Sequence, residues 1–123
     1  MNVLLVALGG AIGASARYLL GGFVHEFTRA DFPYGTFVVN MVGCMLFGAV
    51  AGVADERFVV GPSTRTFLLI GVLGGFTTFS SYTFETFGLL RDEEYLRALV
   101  NAGGQVVIGL LGLWVGYVGA RLL

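Results

Sequence analysis

The sequence predicts an all-α membrane protein: four transmembrane helices, the third of them broken. Three observations carry that expectation. The 123 residues are 56% hydrophobic and 12% charged, with a mean hydropathy of +0.84, whereas soluble domains carry about 25% charged residues. Four apolar stretches, Asn2–Val24, Gly35–Ala54, Thr66–Leu90 and Ala98–Ala120, each reach the roughly 20 residues that cross a hydrocarbon core. The third stretch is interrupted by paired glycines, threonines and serines, Gly74-Gly75-Phe76-Thr77-Thr78-Phe79-Ser80-Ser81-Tyr82. The helices are placed at 2–24, 35–54, 64–90 and 98–120, with the break over 74–78, in one membrane domain spanning 1–123. That layout leaves no room for a soluble domain.

Composition also narrows the function classes. A net charge of −1 argues against nucleic-acid binding. Cys44 is the single cysteine, so no intrachain disulfide forms. The first stretch lacks a basic leader and a small-residue cleavage site, so it is expected to be a membrane helix and not a cleaved signal. No nucleophile–base pair or metal-ligand cluster is legible, and an enzyme is not expected.

In the first helix, Gly9 and Gly13 form a small-xxx-small face that allows close helix approach. Arg17 is a charge within an apolar segment, which needs a polar partner or a snorkelling route; a structural role and direct ion contact both remain open. His25 to Tyr34 reads as a loop, with Asp31-Phe32-Pro33 as its turn chemistry and His25 solvated. In the second helix, Asn40 puts a carboxamide in hydrocarbon and must face another helix or a water-filled path. Gly48 and Gly52 repeat the close-packing spacing, and Asp55-Glu56-Arg57 returns the chain to water.

The third helix carries the informative irregularity. Thr66–Leu73 reads as ordinary apolar helix. Gly74 and Gly75 allow unusual backbone angles, and Thr77 and Thr78 can bond to nearby carbonyls. Backbone freed from helical bonding at membrane depth must be buried in protein or line a cavity, and its carbonyls are natural cation ligands. Beyond the break, Phe79, Tyr82 and Thr86 share one face, with Ser80, Thr83 and Phe87 beside them. Ring edges are electropositive and can attract an anion, although for any single Phe packing or lipid contact is the better account. Glu85 is a carboxylate inside an apolar segment. Leu89–Arg97 reads as an acidic solvated loop. In the fourth helix, Asn101 and Gln105 lie four apart on one face, and Trp114 and Tyr117 are candidate interfacial anchors.

The arginines give no orientation bias. Arg57, Arg65 and Arg121 flank one side, Arg29, Arg91 and Arg97 the other, and Arg17 lies within a segment. A chain without bias can insert either way up, and four thin helices are few to enclose a pore. An antiparallel, dual-topology homodimer is the expected assembly.

The run from Gly74 to Tyr82 closely resembles the signature of the Fluc (CrcB) fluoride channel family. Gly9-Gly10, Gly13-Ala14 and Arg17-Tyr18 resemble its first-helix motif, and Gly35-Thr36, Asn40 and Gly43 its second. The resemblance covers the whole chain. It implies a dual-topology homodimer in the prokaryotic plasma membrane, with two fluoride pores and a structural sodium ion at the dimer centre. The sodium ligands carried over are the Gly74 and Thr77 carbonyls; the ion pathway is Asn40, Phe79, Ser80 and Tyr82. Two departures stand out. Tyr82 occupies a place usually taken by Phe, its hydroxyl offering the path a further donor. Gln105 falls about where a small hydroxyl residue is common. Arg17, Glu85 and Gln105 carry over only as vestibule or structural residues.

The implied function is passive, fluoride-selective movement of the anion, relieving cytoplasmic accumulation. Two alternatives fit the sequence less well. A small dual-topology multidrug exporter needs a first-helix carboxylate, which Asn2–Val24 lacks. A non-transporting membrane scaffold would explain the glycine faces, but not a broken helix beside a polar–aromatic track.

Overall fold

The computed structural model describes residues 2–29, 32–57 and 60–123, with backbone alone for Glu56 and Arg57. The expected turn at Asp31 and the side chains of Glu56 and Arg57 lie outside the described residues. The elements are α1 (Asn2–Thr28), α2 (Tyr34–Arg57), α3 (Pro62–Arg65), a π-helix (Thr66–Leu73), α4 (Gly74–Phe76), α5 (Phe79–Arg91) and α6 (Tyr95–Arg121). Among the described residues there is no strand. Four spans among the described residues are long and apolar enough to cross a membrane: Asn2–Thr28, Tyr34–Asp55, Pro62–Arg91 and Tyr95–Arg121. The chain is a multi-pass membrane protein.

Two connections are tighter than the sequence suggests. His25 lies in the last turn of α1 and not in a loop, where a side chain that can carry positive charge complements the exposed carbonyls. The helix then stops at Arg29, which takes a φ of 45° and returns its N–H to His25 O at 2.9 Å. Between α5 and α6 the expected nine-residue loop shrinks to Asp92–Glu94. Glu93, at φ 61°, donates to Leu90 O at 3.0 Å, and Glu94 donates to Leu89 O at 2.8 Å. This paired pattern is a Schellman stop, in which one left-handed residue satisfies the last helical carbonyls. Arg97 therefore sits in the first turn of α6, paired to Glu94 Oε1 at 3.2 Å.

Small residues set the packing. α2 lies along α6, with Gly48 against the Leu113 backbone and Gly116 against that of Met45. A Cβ at Gly52 would come within 2.5 Å of Tyr117 O. On the other side, α1 lies along the π-helix: a Cβ at Gly9 would meet Phe67 O at 2.8 Å and Gly71 Cα at 2.9 Å. Lipid tails give no hydrophobic push between helices, so such close contact carries the association.

Thr66–Leu73 is a π-helix, which corrects the ordinary helix read from its uniform hydrophobicity. The physical reason lies in its partner. Phe67, Gly71, Val72, Gly75 and Phe76 all abut Gly9, Gly10 or Gly13 of α1. In an α-helix of 3.6 residues per turn, a row spaced by four drifts by about 40° at each step. A turn closed at i to i+5 drifts the opposite way, so π-turns followed by the α-helical Gly74–Phe76 offset that drift along the face toward α1. The Gly74 N–H closes the segment on Leu69 O and Gly71 O.

Candidate functional site

The break is two residues long. Gly74 is helical, at φ −63° and ψ −36°, and α4 continues through Phe76. Thr77 (φ −84°, ψ 158°) and Thr78 (φ −146°, ψ 116°) are extended, and α5 resumes at Phe79. The break thus occupies 77–78 and not 74–78, and no described glycine has a positive φ. Gly75 serves close approach instead, since a Cβ there would meet Gly10 O at 2.9 Å.

Side chains hold the extended pair open. Asn40 Oδ1 accepts from the Thr78 N–H at 2.9 Å, and Asn40 Nδ2 donates to Thr78 O at 3.1 Å. The Asn40 carboxamide therefore pairs with residue 78 as a neighbouring strand would. Thr78 also caps α5: its Oγ1 accepts from the Ser81 N–H at 3.1 Å, the standard arrangement of an N-cap hydroxyl over the third helical residue. Arg17 Nε donates to Gly75 O at 3.1 Å, so the half-buried charge of α1 is bonded to the carbonyl end of α4.

These bonds release two carbonyls. In an unbroken α-helix the Thr78 N–H would donate to Gly74 O, and the Ser81 N–H to Thr77 O. Both N–H groups are taken by side-chain oxygens, Asn40 Oδ1 and Thr78 Oγ1. Gly74 and Thr77, the carbonyls singled out from the sequence, each lose their helical partner. Hard cations take such oxygen ligands, so the donor set fits a sodium ion.

Beside the break lies a cavity of about 360 Å³, bordered by Asn40, Thr77, Thr78, Phe79, Tyr82 and Gln105 among others. The Phe79 and Tyr82 ring centroids are 5.6 Å apart and tilted by 48°. Phe79 is 76% exposed on the single chain. The structure thus brings Asn40, Phe79, Tyr82 and Gln105 together. Ser80 is not among the residues bordering this cavity; it is exposed, with its hydroxyl 3.3 Å from Thr78 Oγ1. Arg17 borders a separate cavity with Thr36, Thr78 and Ser81. Glu85 stands nearer the α5–α6 turn, where its Oε1 accepts from Thr36 Oγ1 at 2.8 Å; Pro33, Asp92 and Glu94 share its cavity.

A buried polar chain runs from Asn40 along α6. Asn40 Nδ2 donates to Gln105 Oε1 at 2.8 Å, Gln105 Nε2 to Asn101 Oδ1 at 3.0 Å, and Asn101 Nδ2 to Thr86 Oγ1 at 2.8 Å. Thr86 Oγ1 in turn donates to Tyr82 O at 2.8 Å. Gln105 is 7% exposed and Asn101 fully buried. The Tyr82 hydroxyl donates to Ala102 O at 2.6 Å, which corrects the expectation that it offers a donor to the path. The ring edge remains. Two participants stand out in the sequence only as hydroxyls near the break, with no part in the site assigned to either. Thr78 had a visible signal, a threonine three residues before Ser81 at a helix restart. Thr86 had none beyond its hydroxyl, because its partner comes from another helix.

A family model described as "CrcB-like protein, Camphor Resistance (CrcB)" matches residues 4–117. The chain is 45% identical to the "Fluoride-specific ion channel FluC" of Nitratidesulfovibrio vulgaris (strain DSM 19637 / Miyazaki F), across 99% of this chain and 98% of that one. It is 46% identical to the protein of the same name from Solidesulfovibrio magneticus, across 96% and 94%. With that of Geobacter sulfurreducens the identity is 42%, across 99% and 98%. With the family model spanning nearly its whole length and these relatives aligned end to end, the chain belongs to the CrcB family.

Proposed function

We propose that this protein is a fluoride-selective channel of the cell membrane, moving F⁻ passively and lowering cytoplasmic fluoride. One observation carries the reading: a single cavity beside the helix break joins the Asn40 carboxamide to the Phe79 and Tyr82 rings. Full-length relatives named as fluoride channels support it.

Fluoride is small and strongly hydrated, so the path must replace water with donors. Asn40 would provide an amide N–H in exchange for its bond to Gln105 Oε1, and the Phe79 and Tyr82 edges partial positive charge without a full cation. Among the described residues no arginine borders this cavity, which suits conduction, since too strong a site would hold the anion. Efflux gains about 2.3 kcal/mol per charge for each 100 mV of membrane potential.

The Gly74 and Thr77 carbonyls would hold a structural sodium ion, contributed by each of two chains. When bound, that ion supplies a fixed positive charge beside the anion path. Arg17 and Thr78 keep the carbonyls presented by fixing α4 and α5 around the break. The partner is a second, antiparallel copy: the arginines are balanced between the two sides, and Phe79 is exposed on one chain alone. Ser80, on the exposed face beside Phe79, would join the path once that copy is present, with Glu85 nearer the membrane edge.

Fluoride efflux from proteoliposomes, followed by electrode against a chloride control, tests the reading. Fluoride flux without chloride flux is expected. Well-folded protein that passes no fluoride would sink the assignment.

A further inference from the structure

Both N–H groups of the Asn40 amide are already occupied, one by Thr78 O and one by Gln105 Oε1. An anion arriving in the cavity therefore meets no free Asn40 donor. If it simply displaced the Gln105 bond, it would face the lone pairs of Gln105 Oε1. The remedy lies in the chain behind Gln105. Every further member, Gln105, Asn101 and Thr86, is both donor and acceptor. A carboxamide turned by half a revolution swaps O for N in nearly the same space.

We infer that Gln105, Asn101 and Thr86 form a reversible hydrogen-bond chain whose direction is switched by the anion. Without anion, the direction is that observed: Asn40 to Gln105 to Asn101 to Thr86 to Tyr82 O. With anion, Thr86 Oγ1 turns to donate to Asn101 Oδ1, Asn101 Nδ2 donates to Gln105 Oε1, and Gln105 Nε2 points into the cavity beside Asn40 Nδ2. Each inner link is replaced by one of reversed sense. Two bonds are given up: that of Asn40 Nδ2 to Gln105 Oε1, exchanged for contacts to the anion, and that of Thr86 to Tyr82 O, which lies inside α5. The anion gains two amide donors where the empty site shows a donor–acceptor pair. In the reversed sense the Asn40 and Gln105 amides would repel each other unless an anion sits between them, so occupancy and direction are coupled. Both side chains border the 360 Å³ cavity, which gives Gln105 room to turn. Gln105 is thereby a fluoride-contacting residue, and Asn101 and Thr86 are positioning residues behind it. This inference rests on the proposed channel function and specifies how its site receives the ion.

The test is side-chain amide NMR of ¹⁵N-Asn/Gln-labelled protein in lipid nanodiscs, titrated with sodium fluoride and, as control, sodium chloride. Fluoride is expected to move the NH₂ resonances of both Asn40 and Gln105, with chloride moving neither. Proteoliposome flux then gives the half-saturating fluoride concentration. Thr86→Val removes two bonds from the empty direction, Asn101 Nδ2 to Thr86 Oγ1 and Thr86 Oγ1 to Tyr82 O, but one from the anion-bound direction, so it is expected to lower that concentration by about threefold to tenfold, the equivalent of one hydrogen bond, and Thr86→Ser to restore it. A shift at Asn40 with none at Gln105 overturns this inference and leaves the channel reading standing. So does an unchanged half-saturating concentration in Thr86→Val. Neither resonance moving, together with no flux, overturns both.

Discussion

Replacing Asn40 by alanine removes the one side chain that satisfies both backbone groups of Thr78. Three hydrogen bonds disappear: Thr78 N to Oδ1 at 2.9 Å, Nδ2 to Thr78 O at 3.1 Å, and Nδ2 to Gln105 Oε1 at 2.8 Å. Loss of the first strands a backbone N–H at membrane depth, which costs about 1–3 kcal/mol. The other two are interhelical bonds in lipid, averaging about 0.6 kcal/mol each. Asn40→Ala should therefore destabilise the chain by about 2–4 kcal/mol. Gln105→Ala loses two side-chain bonds, to Asn40 and Asn101, and strands no backbone group, so its cost should be about 1 kcal/mol. Equilibrium denaturation in detergent at one protein concentration measures both variants. Hydrogen exchange at the Thr78 amide should accelerate in Asn40→Ala alone. If Asn40→Ala proves no more destabilising than Gln105→Ala, with Thr78 still protected, then Asn40 does not hold the break and the account of its geometry fails.

Further expectations concern the same region. Asn40→Asp keeps the acceptor for the Thr78 N–H but places negative charge on the proposed path, so it should abolish fluoride flux without unfolding the protein; undiminished flux would remove Asn40 from the pathway. Tyr82→Phe removes only the bond to Ala102 O, and should lower stability by about 0.5–1.5 kcal/mol while flux persists, as paired denaturation and efflux measurements would register. Arg17→Met leaves Gly75 O without its charged donor, a loss of about 1.5–3 kcal/mol on the same denaturation scale. Gly48→Ala forces a Cβ against the Leu113 backbone and should cost about 1–3 kcal/mol by overpacking, whereas Gly119→Ala, with open space around it, should be near neutral.

Hydropathy made the four spans legible because lipid demands long apolar helices with internally satisfied backbones. The helix ends were less so: Glu93 stops α5 with a left-handed residue that glycine more often supplies, and nothing in its chemistry announces that turn. Asn40 and Gln105 could be singled out as carboxamides in hydrocarbon, since each needs a partner there. Which partner each finds depends on how α2, α5 and α6 meet.

The break shows the same division. Paired small and hydroxyl residues from Gly74 to Ser81 were enough, by themselves, to say that the third helix fails and that its carbonyls become available, because such residues loosen a helix from within. Tertiary structure decided where it fails and why it stays open. The break falls at 77–78 because a carboxamide from α2 takes the Thr78 N–H and the Thr78 hydroxyl takes that of Ser81. The glycines before it remain helical, and Gly75 is kept small by the approach of α1. A hydrogen bond between residues 38 positions apart leaves no mark on local composition, and only the packed helices can specify it.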